Sequence, residues 1–202
     1  MKLSILIPVY NQEELVIRAL DFLPRRSDVE VLVRDDGSTD RTLQFLLQYE
    51  NDHPELNMYV FANGVNRGVA YTKNRLLEIA TGEYFHIHDS DDHVNTELYC
   101  GLIDRLDGDI MTMDLTINDG TILRVKDDTK SLYCAQIARF IRKDFADGIQ
   151  FPEEVRAGDD WFFANALLER NPRTVYTGMP AYYYNYPREG SLCDLRLKGI
   201  LP

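Results

Sequence analysis

Three aspartates lie within four positions directly after a strand-like run at residues 84–88. They are Asp89, Asp91 and Asp92. Carboxylates held this close repel one another, and a hard divalent cation with oxygen ligands is the usual way in which proteins neutralise such a group. The ends of strands in an open α/β sheet are also common ligand sites. Two interpretations stay open from these residues alone: a metal site, or loop carboxylates that cap the following helix.

A second acid pair, Asp159 and Asp160, opens a predicted helix at residues 159–169. The helix macrodipole favours an acid in this position and keeps it ionised, so that it is able to accept a proton. An ordinary helix cap explains the same residues equally well. The pair is therefore either a candidate general base or a capping group.

Two polar turns follow other predicted strands. Residues 35–40 combine an acid pair with a glycine, and can either place a carboxylate against a nucleotide base or ribose or cap the next helix. Residues 66–68, together with Lys73, offer cations and a glycine turn that can hold phosphate oxygens. They lack the spacing of a P-loop or a dinucleotide fingerprint, so a surface turn is the alternative. Arg188, after three consecutive tyrosines, is a further candidate phosphate contact, with aromatic core as its alternative.

The segments between these polar positions alternate between strand-like and helix-like patterns. Apolar or branched runs predict four strands, at residues 3–9, 29–33, 58–61 and 84–88. Asn11 is predicted to be the N-cap of the first helix, in a capping box completed by Glu14. The inner face of the second helix is predicted to carry Leu43, Leu46 and Leu47. This alternation predicts a Rossmann-like α/β fold with a mostly parallel sheet flanked by helices.

Beyond residue 92 the pattern changes. We expect a helix at 96–106, a strand at 109–113, a hairpin turn at 118–120, a strand at 138–145 and a strand-like run at 173–186. The hairpin turn implies a small antiparallel portion in the C-terminal half. No repeat or linker divides the sequence, so we expect a single domain over residues 1–202.

Composition limits the classes of partner. The 202 residues carry a net charge of −11, which argues against free binding to nucleic acid or to anionic lipid. The three cysteines, Cys100, Cys134 and Cys193, are widely spaced and are expected to be reduced thiols in a cytoplasmic protein. No signal peptide is expected, and no apolar run approaches the roughly 20 residues of a membrane span. We therefore expect no transmembrane anchor, with peripheral membrane association left open.

Taken in order, these segments resemble the inverting GT-A nucleotide-sugar glycosyltransferases known as family 2. The resemblance is dense over the first hundred residues and then thins to two islands. It rests on residues 4–11, 35–40, 66–74, 82–84 and 89–92, and beyond them on 158–161 and 182–191.

The resemblance implies a role for each matching residue. Pro8, Tyr10 and Asn11 would lie beside the nucleotide of a donor, with a UDP-sugar favoured, and Asp36 would receive an N–H of the base. Arg67 and Lys73 would lie near the ribose or diphosphate, and Arg188 would also bind the donor. The matching residues are Pro8, Tyr10, Asn11, Asp36, Arg67, Lys73, Asp89 and Arg188.

The resemblance also implies a metal and a base. Asp89, Ser90 and Asp91 are similar to the DxD motif of the family. Asp91 would be the direct ligand of Mg²⁺ or Mn²⁺, and Asp89 would be the second residue of the metal site, directed towards ribose or sugar. Asp92 would serve the turn into the next helix. Where the family often has Glu-Asp, this chain has Asp159 and Asp160, and both would be catalytic residues; Asp160 would be the base, with the partner role of Asp159 left open.

The implied reaction is a single displacement that inverts the anomeric carbon and transfers the sugar to a hydroxyl of a glycan or lipid-linked acceptor. Bacterial polysaccharide or glycoconjugate synthesis would use such a reaction. Residues 1–95 would form the donor half and residues 96–202 the acceptor and base half. The alternatives are a non-catalytic nucleotide-sugar-binding module and a nucleotidyltransferase, although the latter would need a basic, glycine-rich loop where residues 8–13 lie.

Overall fold

A seven-stranded sheet forms the centre of the protein, in the strand order β10-β6-β9-β4-β1-β2-β3 of this computed structural model. The structure describes residues 1–126, 136–155, 158–189 and 198. The strands are β1 Leu3–Val9, β2 Val29–Asp35, β3 Met58–Ala62, β4 Tyr84–Ile87, β5 His93–Val94, β6 Ile110–Thr112, β7 Leu115–Ile117, β8 Ile122–Leu123, β9 Arg139–Arg142, β10 Thr174–Tyr176 and β11 Tyr182–Tyr184. The helices are α1 Val16–Asp21, α2 Thr42–Asp52, α3 Val69–Ile79, α4 Thr96–Asp104 and α5 Asp159–Glu169.

Strand direction divides the sheet into a parallel part and a mixed part. Strands β3, β2, β1 and β4 pair in parallel, whereas β9 is antiparallel to both β4 and β6. A second sheet of four strands has the order β5-β11-β7-β8 and contains the hairpin formed by β7 and β8. The predicted parallel α/β fold with a small antiparallel portion is confirmed.

Alternate residues of the central strands supply two separate cores. Ile5 and Ile7 of β1 belong to one cluster of buried residues, and Leu6 belongs to the other. Successive side chains of a strand point to opposite faces, so a continuous apolar run is what a strand covered on both faces requires. Helices α1, α2 and α4 cover the first face, while α3 and α5 cover the second. Among the described residues, no helix is long and apolar enough to cross a bilayer.

Two expectations about local structure are wrong, and a third is made more specific. Helix α1 begins at Val16, and Asn11 lies in a left-handed conformation with φ of 50°, where its side chain accepts a hydrogen bond from the Thr39 N–H at 2.8 Å. Asparagine tolerates this region better than most residues do. Leu47 does not face the core, since it is 50% exposed. The strand-like run at 173–186 is two strands, β10 and β11, that belong to different sheets.

The thiol prediction is confirmed for one cysteine. Cys100 is a free, half-buried thiol. Cys134 and Cys193 lie outside the described residues.

The turn after β2 requires a glycine at one position. Gly37 and Gly64 share the same φ of 72°, but a Cβ on Gly37 would lie 2.4 Å from the backbone carbon of Val65, whereas a Cβ on Gly64 would meet nothing within 4 Å. We expect Gly64→Ala to cost about 1–2 kcal/mol for the left-handed conformation alone. Gly37→Ala adds a backbone clash, and we expect about 3–4 kcal/mol in total. Urea unfolding of both variants checks the difference, and equal losses of stability would contradict this account of the turn.

Candidate active site

The turn after β4 gathers three carboxylates. Asp89, Asp91 and Asp92 each place one oxygen within 4.8 Å of the others. The Asp89 N–H donates to the hydroxyl of the buried Tyr182 at 3.1 Å, and the Asn185 N–H donates to Asp92 Oδ1 at 2.8 Å. The other oxygen of Asp92 is buried and has no hydrogen-bond partner among the described residues. Strand β11 and the residue after it therefore brace an acid turn that retains an unused buried oxygen.

Among the described residues, the negative charges of this turn outnumber the positive charges beside it. Burial raises the pKa of Asp89 to about 7, and Asp91 adds to the increase while Lys73 opposes it. Burial, together with Asp89 and Asp91, also raises the pKa of Asp92 well above its usual value. One cation contacts the turn directly, because Arg188 Nε lies 2.6 Å from Asp91 Oδ2. Three carboxylates and an unused oxygen suit a hard divalent cation.

The second acid pair is joined by a buried lysine from another helix. Lys73 Nζ of α3 donates to Asp159 Oδ2 at 2.8 Å and to Asp160 Oδ1 at 2.7 Å. The Asp159 side chain is 8% exposed, whereas that of Asp160 is 40% exposed. Gly158 is the N-cap of α5, and the helix has no side-chain capping bond. The capping interpretation thus does not describe the pair, and only Asp160 offers an open oxygen to an incoming group.

A third group of residues joins the turns after β1, β2 and β3. Asp36 is buried and accepts hydrogen bonds from the Arg67 N–H, the Gly68 N–H and the Asn63 amide, each at 2.8 Å. Asp35 Oδ2 accepts from the Gly37 and Ser38 N–H groups, at 3.1 and 3.0 Å. The carboxylates of this pair therefore shape the turns that surround them.

The remaining predicted residues have these positions. Pro8 is half-buried at the end of β1, and Tyr10 is 43% exposed just beyond it. The exposed Arg67 places its guanidinium 4.7 Å from the ring centre of Tyr71. Lys73 does not join the 66–68 turn, because its ammonium contacts the acid pair of α5.

Two regions thus emerge from the predicted residues. The first region contains the acid turn, the acid pair and the cation on the turn: Asp89, Asp91, Asp159, Asp160 and Arg188. Lys73 links its two parts, because it binds the acid pair and also interacts electrostatically with Asp89. The second region is formed by the turns at the ends of β1, β2 and β3, and it contains Pro8, Tyr10, Asn11, Asp36 and Arg67.

Sequence reasoning did not identify Tyr182 and Asn185 as supports of the acid turn. Their separation from Asp89 and Asp92 by more than ninety residues offered no signal that could have found them.

Comparison with known proteins identifies the family of the chain. The model of the family described as "Glycosyl transferase family 2" matches residues 4–150 of the chain. The chain belongs to glycosyl transferase family 2. The predicted family is therefore confirmed.

Two relatives of this family 2 chain are named for their action on poly(ribitol phosphate). The poly(ribitol-phosphate) beta-N-acetylglucosaminyltransferase TarS of Staphylococcus aureus is 30% identical over 216 residues, which cover 94% of this chain and 36% of the relative. The poly(ribitol-phosphate) beta-glucosyltransferase of Bacillus spizizenii is 40% identical over 102 residues, which cover 48% of this chain and 16% of the relative. The family 2 chain spans about a third of the length of TarS.

Solved structures show the same fold. Residues 1–349 of Staphylococcus aureus TarS in complex with UDP-GlcNAc align with a TM-score of 0.76 and 27% identity, over 95% of this chain and 60% of that one. The mannosyltransferase PcManGT of Pyrobaculum calidifontis, with GDP-Man and Mn²⁺, aligns with a TM-score of 0.73 and 22% identity, over 94% of this chain and 58% of that one. This second likeness supports the fold alone. The predicted GT-A fold is confirmed.

The raised pKa of Asp89 gives this family 2 chain a characteristic dependence of stability on pH. Between pH 4 and 7 the folded protein holds a proton that the unfolded chain, with the ordinary Asp value of 3.8, has released. Stability from this group therefore falls as pH rises through that window. Asp89→Asn removes the effect, so in EDTA we expect wild type to lose on the order of 2–4 kcal/mol relative to the variant between pH 4 and 7.

Urea unfolding at several pH values measures this difference. Glu83→Gln, at an exposed position outside the acid turn, is the control and should follow wild type. Parallel curves for wild type and Asp89→Asn would show that the Asp89 carboxyl titrates as an ordinary surface acid does.

Proposed function

We propose that this chain is a metal-dependent inverting glycosyltransferase that moves a sugar from a nucleoside-diphosphate sugar to an acceptor hydroxyl. The observation that carries the proposal is the combination, in a family 2 chain, of a three-carboxylate turn with a separate half-open carboxylate, Asp160, held by Lys73. The first requirement of such a reaction is charge stabilisation at the leaving diphosphate, and the second is a base for the acceptor.

A UDP-sugar is the proposed donor, and UDP-GlcNAc is the first one to test. The support is that TarS, similar over most of this chain, has been solved with UDP and with UDP-GlcNAc. The proposed acceptor is a hydroxyl of a bacterial polyol-phosphate polymer or of a glycan or lipid-linked glycoconjugate. The names of the relatives that act on poly(ribitol phosphate) support the first of these.

Asp91 and Asp89 would hold Mg²⁺ or Mn²⁺, with the buried free oxygen of Asp92 available as a further ligand. When bound, this ion would supply positive charge for the departing diphosphate. The residues present fit such a cation, because burial and mutual repulsion leave their carboxylates short of positive charge.

The chain's own residues perform the remaining steps. Asp160 takes the proton of the acceptor hydroxyl on the oxygen that Lys73 leaves free, as the acceptor oxygen forms its bond to the anomeric carbon. The bond from that carbon to the diphosphate oxygen breaks, and its electron pair leaves with the diphosphate. Because one base serves one displacement, the anomeric configuration inverts.

The strand-end turns are the proposed nucleotide side. Pro8, Tyr10 and Asn11 lie at the end of β1, and the Asp36 carboxylate holds the 63–68 turn next to the end of β2 by its hydrogen bonds. Asp36 also remains the proposed acceptor for a base N–H, since a carboxylate offers about four lone-pair sites and three are occupied. Arg67 is placed at the rim of this side.

Arg188 is proposed to bind the diphosphate once a cation has replaced it at Asp91, the residue it contacts in this structure. Residues 1–95 form the proposed donor half, and residues 96–202 the acceptor and base half.

Thermal shift with nucleotide sugars tests the proposal directly. UDP-GlcNAc, UDP-glucose and GDP-mannose are each added with Mn²⁺, with Mg²⁺ or with EDTA, and release of the nucleoside diphosphate is measured with poly(ribitol phosphate) as acceptor. We expect a UDP-sugar to raise the melting temperature only with metal, by mass action, and to be turned over. Stabilisation without turnover would favour a binding module, and no stabilisation under any condition would overturn the donor site.

A further inference from the structure

Lys73 is held in place more firmly than a surface lysine could be. Its side chain is 5% exposed, and its ammonium lies 4.9 Å from the ring centre of Phe151. The next residue, Asn74, donates its amide to the Phe151 carbonyl and accepts the Phe151 N–H, each at 2.9 Å. Phe151 in turn stacks on Phe163 of α5, with ring centres 4.0 Å apart and planes within 5°. Helix α3 and helix α5 are thereby locked through one aromatic segment, with Lys73 between them.

The two carboxylates that Lys73 binds have different surroundings. Asp159 is buried and uses Oδ2 to accept from the ammonium, so it fixes the direction of the lysine. Asp160 accepts through Oδ1 and keeps much of its surface open. The buried Asp159 carboxylate thus orients the Lys73 ammonium, and the ammonium in turn orients the more exposed Asp160 carboxylate.

Charge explains why the outer acid needs this cation. Surrounding protein atoms raise the pKa of Asp160 although its side chain is partly open, and Asp159 raises it further. The Lys73 ammonium and, more weakly, Arg139 act in the opposite direction. Burial alone would lower the pKa of Lys73, but Asp160, Asp159 and Asp89 outweigh it and raise this pKa, so the lysine stays charged. Without it, two neighbouring carboxylates would tend to share one proton.

We propose that Lys73 is a positioning residue for the base: anchored by Asp159, it directs the Asp160 carboxylate and keeps it able to receive the acceptor's proton. This inference rests on the proposed function, and it moves Asp159 from a catalytic role to an anchoring one. It also takes Lys73 away from the diphosphate. In the resting protein the ammonium neutralises the base; when Asp160 has taken the proton, the ammonium remains paired with Asp159.

Two substitutions should move the ionisation of Asp160 in opposite directions. Lys73→Met removes the favourable charge, so we expect the titration midpoint of Asp160 to rise by about 1–3 pH units. Asp159→Asn removes an unfavourable charge, so the midpoint should fall. Lys73→Arg keeps the positive charge, so its midpoint should stay closer to that of wild type than the midpoint of Lys73→Met does.

The experiment uses two readouts on the full chain. Carboxyl ¹³C NMR of aspartate-labelled, metal-free protein gives the midpoint, and the signal is assigned by its loss in Asp160→Asn. The pH profile of kcat/KM for UDP release from UDP-GlcNAc with saturating Mn²⁺ should show its acid limb moving with the NMR midpoint. If Lys73→Met does not fold, Asp159→Asn and Lys73→Arg still decide the sign.

The possible outcomes separate this inference from the proposed function. Unchanged midpoints in Lys73→Met and Asp159→Asn, with only a uniform fall in rate, would mean that Lys73 has a purely structural role, and the inference would be overturned. Opposite movements of midpoint and acid limb support it. If no protein, wild type included, releases UDP, the proposed function fails; the NMR midpoints then still decide whether Lys73 controls Asp160.

Discussion

Replacing Asp160 by asparagine is expected to lower the rate of sugar transfer by about 10²–10⁴-fold, the usual contribution of a positioned general base. Asparagine has the same shape, and its carbonyl oxygen can still accept the hydrogen bond from Lys73 at the position of Asp160 Oδ1. It cannot take up a proton. The proposed donor site uses other residues, so binding of UDP-GlcNAc with Mn²⁺ should change little. Steady-state rates and calorimetric titration of the donor measure the two quantities.

Glu169→Gln is the matched control for this prediction. Glu169 is an exposed acid at the far end of the same helix, so the substitution changes the charge of α5 without touching the site. We expect wild-type rates from it. An Asp160→Asn protein that transfers sugar within a few fold of wild type would remove Asp160 from the role of base.

The sequence predicts the central layers well because local signals and burial agree there. In β1 and in residues 29–33 of β2 all positions but one are apolar, as a strand covered on both faces requires, and both strands are buried as expected. The run at 173–186 shows that the same signals do not predict how strands pair. Branched and aromatic residues favour strands throughout, but which strand each part pairs with depends on β6 and β7, which are far away in the chain.

In the site, too, local features could be predicted from the sequence, whereas contacts between residues far apart in the chain could not. The acid turn and the acid pair could be singled out by their position at a strand end and at a helix start. Lys73, the partner of this acid pair, could not be singled out in the same way, because it lies 86 residues from Asp159. Its flexible side chain reaches the two carboxylates and not the neighbouring 66–68 turn, which was the candidate site for phosphate oxygens. Asn11 and Glu14 fit the spacing of a capping box, yet asparagine also tolerates left-handed backbone, and the Thr39 N–H decides in favour of that conformation.

Asp91→Asn is expected to abolish the stabilisation by metal plus UDP-GlcNAc and to lower transfer by about two to three orders of magnitude. The reason is that the substitution removes the charge of the most direct proposed ligand, and loss of one electrostatic stabiliser of a transition state commonly has this size. Thermal shift across a Mn²⁺ series, together with rates at saturating Mn²⁺, measures both effects. Metal-dependent stabilisation that survives in Asp91→Asn would place the ion on other residues.

Arg188→Gln is the control for Asp91→Asn. It removes the guanidinium that is paired with Asp91 and leaves the proposed metal ligand in place. The guanidinium lies 2.6 Å from the Asp91 carboxylate, so a divalent ion has to displace it. Removing this competitor should tighten Mn²⁺ binding in the absence of donor. If Arg188 then binds the diphosphate, the same substitution should raise KM for UDP-GlcNAc. Tighter binding of Mn²⁺ together with weaker binding of UDP-GlcNAc in Arg188→Gln would show that Arg188 leaves Asp91 and pairs with the diphosphate. Weaker binding of both would show that Arg188 instead supports the acid turn.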